Sequence, residues 1–465
     1  MAGLFRGDKD MQTKKKRRGN PVKNYINGFK NGDLSVRLSY FIMGSANLMN
    51  HQIIKGLLFL AIEAVFLLYM IFNGAAALGG LVTLGVQSQG WVMDENLGIK
   101  VQVQGDNSML FMIYGLATVI IIALFIAAYF VNIKSARNIQ MLKASDKKIP
   151  SFTEDIHSLL DSRFHISLLG LPTIAVLIFT ILPLMYMILL AFTSYDHNHL
   201  PPKNLFGWVG FSNFGSMLGG NIAGTFFPLL VWTLIWALLA TVTNFLGGVI
   251  LALLINKKGI RLKKFFRTIF VTTIAVPQFV SLLIMRNMLH ASGPLNTLLQ
   301  NIGLIDQPIP FLTDPLVAKF SVIMVNMWVG IPFTLIVVTS ILTNLPEDQV
   351  EAARMDGANT FQIFRKITLP QIFFVMTPSL IQQFVGNINS FNVIYLLTGG
   401  APLNSNFYAA GDTDLLVTWL YKLTVEKADY NLASTIGIIT FVICAVFSLI
   451  TYTRSAAYSK EDMYQ

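Results

Sequence analysis

The chain has 465 residues and a formal net charge of +10 at pH 7. Hydrophobic residues make up 54% of it and charged residues only 12%, whereas a typical soluble protein carries about 25% charged residues. This composition excludes an ordinary cytosolic enzyme, a disordered protein and a disulfide scaffold, and it predicts a membrane protein. The single cysteine, Cys444, lies in an apolar run and is interpreted as a small buried side chain.

Hydropathy predicts an all-α polytopic membrane protein, because a membrane-spanning helix needs about 20 mostly apolar residues. We expect a basic N-terminal region (1–52), two additional transmembrane helices (53–130), a cytoplasmic linker (131–167) and a six-helix core (168–465). The eight predicted spans are 53–72, 109–130, 168–192, 226–255, 265–285, 317–342, 373–398 and 436–452.

Positive charge predicts the orientation, since cytoplasmic loops are enriched in Lys and Arg. The N-terminal region and the alternate loops that follow it carry 26 of these residues, against 5 in the remaining loops. Both termini are therefore expected in the cytoplasm, in a multi-pass protein of the bacterial cell membrane. The basic run from Lys14 to Arg18 is interpreted as a solvated tail that touches anionic lipid rather than nucleic acid.

Motifs for chemistry are absent from the sequence. There is no G-x-x-x-x-G-K-[ST] loop for ATP and no H-E-x-x-H zinc motif. His197 and His199 lie near Asp196 in a predicted outside loop, without the further ligands that a metal needs. We therefore predict no catalytic residue, no metal site and no cofactor in this chain, and the chain is not expected to be an enzyme.

The loop between the sixth and seventh predicted spans is rich in helix signals. Pro346 and the two acidic residues after it favour a helix start, and Gly357 interrupts that helix. Asn359 or Thr360 is suited to cap a second short helix, which Pro370 is expected to help end. Two short helices around a glycine predict a compact knob at the membrane surface.

The same loop, 343–372, contains the pattern E-A-A-x3-G-x9-I-x-L-P. It resembles the EAA loop of membrane subunits of binding-protein-dependent ABC importers. The resemblance implies a type I importer fold and a coupling helix that docks on a separate ATPase, with Glu351 meeting the ATPase and with ATP and Mg held there. The implied coupling residues are Glu351, Ala352, Ala353, Asp356, Gly357, Ile367, Leu369 and Pro370.

The resemblance extends over the core, which is similar to the larger membrane subunit of maltose and maltodextrin importers. The stretch from Asn326 to Phe333 and the stretch from Thr413 to Val417 carry it. The link 193–225 is short, whereas the enteric subunit inserts a sizeable periplasmic domain there. The implied partners are a second homologous permease subunit, an ATPase dimer, an extracytoplasmic sugar-binding protein and an oligosaccharide.

Polar residues inside two predicted spans indicate a substrate site. In the seventh span Ser379, Gln383, Asn387 and Ser390 share one helical face with Gly386. Polar side chains at membrane depth either line a wet cavity or hydrogen-bond a neighbouring helix, and the spacing alone leaves both open. The resemblance favours a sugar site formed by Asn326, Gly330, Phe333, Gln383, Gly386, Asn387 and Ser390.

Two of these residues depart from the pattern of the family. Phe333 stands in place of a tyrosine, and Gly386 in place of an aromatic residue that stacks on the sugar. Maltose itself is therefore in question, and a longer or different oligosaccharide is an alternative. We predict the permease subunit of an ATP-driven ABC importer for a maltodextrin-like oligosaccharide. The alternatives are the same role for galacto-oligosaccharides or another glycan, and an ion-coupled secondary transporter that would use Glu63, the acid inside the first span.

Overall fold

The structure, a computed structural model, describes residues 21–93, 98–257, 259 and 262–454. The termini, including the basic run at 14–18, lie outside the described residues. The chain divides into two units, which comprise residues 1–186 with 201–205, and residues 187–200 with 206–465.

The first unit is helical apart from one small hairpin of two antiparallel strands. The hairpin pairs β1 (Gly90–Met93) with β2 (Lys100–Val103). Two π-helical segments, Met70–Gly74 and Leu177–Ile181, continue α4 into α5 and α8 into α9. The helices are α1 (Pro21–Lys30), α2 (Leu34–Leu38), α3 (Ser45–Met49), α4 (Ile53–Tyr69), α5 (Ala75–Thr83), α6 (Ser108–Ala144), α7 (Phe152–Leu160), α8 (Phe164–Val176) and α9 (Leu182–Leu190), whose last turns belong to the second unit.

The second unit contains all the predicted functional residues. Its helices are α10 (Ser212–Gly219), α11 (Ala223–Asn256), α12 (Lys263–Ala275), α13 (Gln278–Met288), α14 (Pro294–Asn301), α15 (Pro315–Thr343), α16 (Glu347–Met355), α17 (Thr360–Ile363), α18 (Leu369–Ile388), α19 (Phe391–Leu397), α20 (Leu416–Val425) and α21 (Tyr430–Thr453). A π-helical segment, Phe364–Thr368, joins α17 to α18.

Local signals explain where the long helices begin. The Asn107 side chain accepts the backbone N–H groups of Met109 and Leu110 at the start of α6. At the start of α15 the Asp314 carboxylate caps two N–H groups, and Pro315 occupies the first turn, where a missing N–H costs nothing. These caps let helices of 37 and 29 residues begin at defined positions.

Six helices are long and apolar enough to cross a membrane among the described residues. They are Ile53–Thr83, Ser108–Ala144, Phe164–Leu190, Ala223–Asn256, Pro315–Thr343 and Tyr430–Thr453, and they agree with six of the eight predicted spans. The predicted span 265–285 is instead a pair of helices, α12 and α13, bent by 94°. The bend falls at Val276 and Pro277, where proline cannot donate a helical hydrogen bond and restricts the residue before it.

The predicted span 373–398 also differs from one continuous apolar helix. The structure divides it into α18 and α19, with the break at Asn389 and Ser390. Gln383, Asn387 and other polar residues lower the hydropathy of α18, and it is not among the helices that qualify as spans by composition. The polar residues that suggested a substrate site thus also lower the hydropathy of this predicted span.

Candidate functional site

Helices α11 and α15 of the second unit contribute to two apolar cores, and α18 contributes to the second of them. The first core packs Trp236 and Ala240 of α11 against Val325 of α15 and the residues of α19. The second packs Phe245 of α11 against Leu335 of α15, together with Ile372 and Met376 of α18. Between Ala240 and Phe245 the apolar packing is interrupted. Polar residues occupy that interval, and we call them the polar layer (Thr241, Asn244, Asn326, Gly330 and Asn387).

Helix α11 brings together the two halves of the predicted sugar site. The Asn387 side-chain amide donates to the hydroxyl of Thr241, over 2.9 Å. A side chain at Gly330 would collide with the amide of Asn244, so the two helices meet closely there. Thr241 and Asn244 are less than one helical turn apart, near the middle of the 34-residue α11. The residues predicted on separate spans therefore lie at similar depth along one helix.

Two amide atoms of the polar layer are buried without a hydrogen-bond partner. They are the Oδ1 atom of Asn244 and the Nδ2 atom of Asn326, an acceptor and a donor. An unpaired buried polar group costs about 1–3 kcal/mol, and amides are suited to sugar hydroxyls because they can both donate and accept. Gly330 also allows α11 and α15 to pack closely. The polar layer therefore has features of both alternatives that the spacing left open, a polar cavity and contacts between neighbouring helices.

The remaining predicted site residues lie within about one helical turn, along the chain, of Gly330 or Asn387. Phe333 is half exposed, and a side chain built at Gly386 would meet open space. The Gln383 side-chain amide donates to the Ser379 hydroxyl over 3.4 Å, one turn away on α18. Ser390 lies at the break between α18 and α19. The assignment of these residues to a sugar site stays a prediction.

Sequence reasoning missed the contribution of α11. Thr241 and Asn244 form the other side of the polar layer, and the Trp236 indole N–H donates to the backbone carbonyl of Asn387 over 3.0 Å. A signal was present: Thr241, Asn244 and Gly248 recur at three and four residues, and therefore mark one face of an otherwise apolar helix. All three face α15 or α18 in the structure.

The coupling loop forms the first of the two predicted short helices, whereas the second is the start of a longer helix that continues into α18. Helix α16 begins after Pro346, with Glu347 and Asp348 in its first turn. Gly357 follows it with φ +82°, a left-handed conformation that glycine adopts without strain. Of the two predicted caps the structure uses Asn359, which forms a capping box with Gln362. The Asn359 side chain accepts the backbone N–H of Gln362, and the Gln362 side chain accepts the backbone N–H of Asn359.

The expectation for Pro370 was wrong. It does not help to end the second short helix, because α17 runs through the π-helical segment into α18 without a break. Pro370 lies in the first turn of α18, where the missing N–H is tolerated.

The knob, by which we mean α16, α17 and the turn between them, presents an exposed mixed surface. Glu351, Ala352 and Asp356 are exposed. Met355 and Phe361 are apolar yet 88% and 67% exposed. Glu351 and Arg354 also line a cavity of about 820 Å³ between the knob and the ends of α11 and α15. Apolar side chains beside charged ones on an open surface suit contact with another protein.

The knob is anchored to the helices that hold the polar layer. Ile363 is buried, and Phe364 packs against the second apolar core. The Gln371 side chain at the start of α18 donates to Gln349 of α16 over 2.9 Å. Ile367 and Leu369 are partly buried in the same connection. The knob is therefore connected to α18 through packing, a hydrogen bond and a continuous helix.

Comparison with known proteins identifies the family. Residues 244–456 match the family model described as binding-protein-dependent transport system inner membrane component. The galactooligosaccharides transport system permease protein of Bacillus subtilis is 34% identical over 426 residues, which are 90% of this chain and 97% of the relative. The chain belongs to this permease family.

A second relative and a solved structure agree with this membership. The maltodextrin transport system permease protein of Bacillus subtilis is 34% identical over 91% of this chain and 95% of its own length. A chain of a bacterial alginate ABC transporter, solved with a periplasmic protein bound to alginate pentasaccharide, superposes with a TM-score of 0.53 at 24% identity. It covers 64% of this chain and 96% of its own. The fold is that of an ABC importer permease, and the chain is a multi-pass protein of the plasma membrane.

The permease closes its last predicted outside loop with a buried ion pair. The Lys422 ammonium donates to Asp414 over 2.6 Å, with the carboxylate fully buried. Burial raises the pKa of Asp414, and the nearby lysine opposes that shift. Gly400 has no room for a side chain beside this carboxylate. The Thr413–Val417 stretch, which resembles the family in sequence, thus stabilises the fold of this loop through the ion pair of Asp414.

Two of the six histidines of the permease, His197 and His199, pair with carboxylates in its loops. His197 contacts Asp429 over 2.7 Å, and His199 contacts Asp196 over 2.6 Å. Asp429 raises the pKa of His197 by accepting its hydrogen bond. Within the part of the chain that the structure describes, no three acidic, Cys or His residues are grouped to hold a metal ion.

Proposed function

We propose that this chain is a membrane-spanning permease subunit of an ATP-driven importer that moves an oligosaccharide into the cytoplasm. One observation carries the proposal: the exposed knob is anchored on α11, α15 and α18, the three helices that also hold the polar layer. A docking surface and a polar layer at membrane depth are thereby parts of one mechanical element. ATP hydrolysis, with its Mg, takes place on a separate ATPase chain.

Transport follows from this connection. The ATPase pushes or releases the knob, Phe364 transmits the displacement to the apolar core, and the helices around the polar layer change their spacing. The site must bind sugar more weakly when it opens toward the cytoplasm, since a conformational change releases a ligand only through different affinities in the two states. Close packing at Gly330 is suited to opening and closing without a bulky side chain in the way.

The chemistry of the polar layer fits a neutral glycan. Asn244, Asn326 and Asn387 supply amides, and Phe333 supplies an apolar face for a sugar ring. We propose a maltodextrin-like oligosaccharide. Galactooligosaccharides are the alternative substrate class. They are supported by the permease protein of the galactooligosaccharides transport system, which is 34% identical over almost its entire length. The open space at Gly386 suits a long chain in either case.

The proposed assembly contains a second homologous permease subunit, two copies of the ATPase and an extracytoplasmic sugar-binding protein. The orientation has both termini in the cytoplasm, with the bent pair α12–α13 and the broken pair α18–α19 as the fifth and seventh of eight spans. The charge distribution of 26 against 5 supports it. The proposed domain organisation is a basic N-terminal region (1–52), two additional transmembrane helices (53–130), a cytoplasmic linker (131–167) and the permease core (168–465).

An ion-coupled transporter is the weaker alternative. It needs an acid that is available for the ion, and Glu63 was the acid that the sequence offered inside a span. In the structure the Glu63 carboxylate accepts the backbone N–H of Met43 over 2.7 Å. That acid therefore has a structural partner in the first unit.

Co-purification tests the proposed function. The full-length chain is tagged, extracted gently from native membranes and compared with Glu351→Lys, which reverses a charge on the knob. Asp306→Lys, the same reversal in an exposed loop before α15, is the matched control. We expect an ATPase with the wild type and with Asp306→Lys, and its depletion with Glu351→Lys. Isolation of the wild type alone, under conditions that keep a known importer intact, would reject the importer role.

A further inference from the structure

The segment from Leu34 to Met49, which the sequence predicts as part of a basic cytoplasmic region, folds back against two membrane helices. We call it the wedge. It consists of α2, a bend at 39–44 and α3. Two backbone N–H groups of the bend, those of Met43 and Gly44, donate to Glu63 of α4 and to Asn132 of α6. Since α4 and α6 both belong to candidate spans, the depth of the bend is measurable from their helical rise.

Contacts with α4 place the bend inside the span. The N–H of Met43 donates to Glu63, which is eight residues beyond Lys55. Gly44 packs directly on the backbone of Gly56. Lys55 forms a 2.7 Å ion pair with Asp155, and we take this charged pair as the level at which the polar surface begins. At 1.5 Å of rise per residue, and with the Glu63 side chain leaning back toward its own N-terminus, the bend extends from the level of Gly56 to about 5–10 Å beyond Lys55.

The polar backbone groups of the bend are paired by side chains of α6. Asn132 is fully buried; its Oδ1 atom accepts the Gly44 N–H over 2.9 Å, and its Nδ2 atom donates to the Ser39 carbonyl over 2.9 Å. The Tyr129 hydroxyl donates to the Tyr40 carbonyl over 3.0 Å. Non-helical backbone at membrane depth requires such pairing, because lipid offers no hydrogen bonds. Glu63, the acid inside the first predicted span, and Asn132, a buried residue of α6 just beyond the second predicted span, thus have a common role.

Apart from Arg37, the exposed side chains of the wedge are apolar. Phe41 and Ile42, at the bend, are 72% and 50% exposed, and the Leu34 and Leu38 side chains continue this surface along α2. It is continuous with the exposed apolar residues Ile53 and Ile54 at the start of the adjacent span. Two exposed cations lie close to this apolar surface: Arg37 on α2, whose guanidinium donates to the backbone carbonyl of Lys30, and Lys30 itself at the end of α1. Apolar residues beside cations match the acyl chains and anionic headgroups of one leaflet.

We infer that the wedge is a re-entrant membrane element whose apolar bend, Phe41 and Ile42, inserts into the acyl region of the leaflet next to the start of α4. Under the proposed orientation this is the cytoplasmic leaflet. The occupant of the exposed surface is lipid rather than another subunit. The wedge stabilises the first unit by filling the space between α4 and α6, and it attaches residues 34–49 to the bilayer independently of the importer assembly.

Spin-label accessibility tests the inference. Single cysteines replace Phe41 or Ile42 in the full-length Cys444→Ala chain, which is reconstituted in vesicles of phosphatidylethanolamine and phosphatidylglycerol. The label's collisions with oxygen, which partitions into lipid, are compared with its collisions with a water-soluble nickel chelate. Val65→Cys, on the exposed face of α4, reports lipid, and Lys148→Cys, whose side chain is 80% exposed, reports water.

We expect the oxygen-to-nickel collision ratio at both wedge positions to match that at Val65 and to exceed that at Lys148. A ratio like that of Lys148 would show a wedge in water and would overturn the inference. Low collision rates with both reagents would show that protein covers the wedge, and would overturn it equally. Two independent positions guard against a single variant that does not fold.

Discussion

At the scale of single residues, the polar layer shows which part of a membrane site a sequence reveals. The periodicity of α18 and α15 placed Asn387 and Gly330 on inward faces, because few polar residues interrupt those helices. Spacing on α11 marks the face that carries Asn244, but the role of Asn244 depends on which helix packs against it, and that helix is the one with Gly330. Spacing identifies the face of a helix, whereas the identity of the neighbouring helix is a property of the fold.

Asn387→Ala is expected to weaken sugar uptake without preventing assembly. The substitution removes an amide that contacts Thr241. Loss of one neutral hydrogen bond is worth about 0.5–1.5 kcal/mol, so transport efficiency should fall roughly two- to tenfold. Uptake of labelled maltodextrin and of galactooligosaccharide by cells that contain the whole importer measures this. Asn389→Ala, an exposed amide two residues away, is the matched control. Equal uptake by the two variants would remove Asn387 from the site.

At the scale of elements, the knob was predicted well because its signals are local. A proline and acids at one start, a glycine at the turn and an asparagine cap act within a few residues, and the structure uses each of them. Pro370 misled because a proline is compatible with both the end of one helix and the first turn of the next. The continuous connection to α18, with its π-helical segment, depends on packing against α11 and α15 and carries no signal of its own.

Gly357 should be required for its backbone conformation and not for its small size. A side chain there would meet open space, but φ is +82°. Gly357→Val is expected to strain the turn by about 1–3 kcal/mol and to reduce both ATPase co-purification and ATP-driven uptake. Gly357→Asn is the control, because asparagine tolerates left-handed φ far better. If the two variants lose function to the same extent, an ATPase contact at this position, rather than the turn geometry, explains the glycine.

At the scale of the whole molecule, composition and charge predict membrane location and orientation without any tertiary information. Six of the eight predicted spans appear as long apolar helices. The other two are divided at Pro277 and at Asn389–Ser390, where bends and polar residues interrupt apolar helices. Hydropathy averages over such interruptions, and therefore it counts a broken pair of helices as one span.

Whether both broken pairs cross the membrane is decided by their flanks, and eight spans place those flanks on opposite sides. Single cysteines in the Cys444→Ala chain replace Lys257 and Asp306 around the fifth span, and Lys366 and Glu426 around the seventh; all four side chains are exposed. With a membrane-impermeant maleimide on intact cells, we expect Asp306→Cys and Glu426→Cys to react, and Lys257→Cys and Lys366→Cys to react only after the membrane is opened. Lys148→Cys in the linker controls for leakage, since its side chain is 80% exposed and it belongs to the same face as Lys257. Should Glu426→Cys be protected in intact cells while Asp306→Cys reacts, α18 and α19 re-enter from the cytoplasm instead of crossing. The polar layer would then line a dead end, because the sugar needs a path that reaches both faces of the membrane.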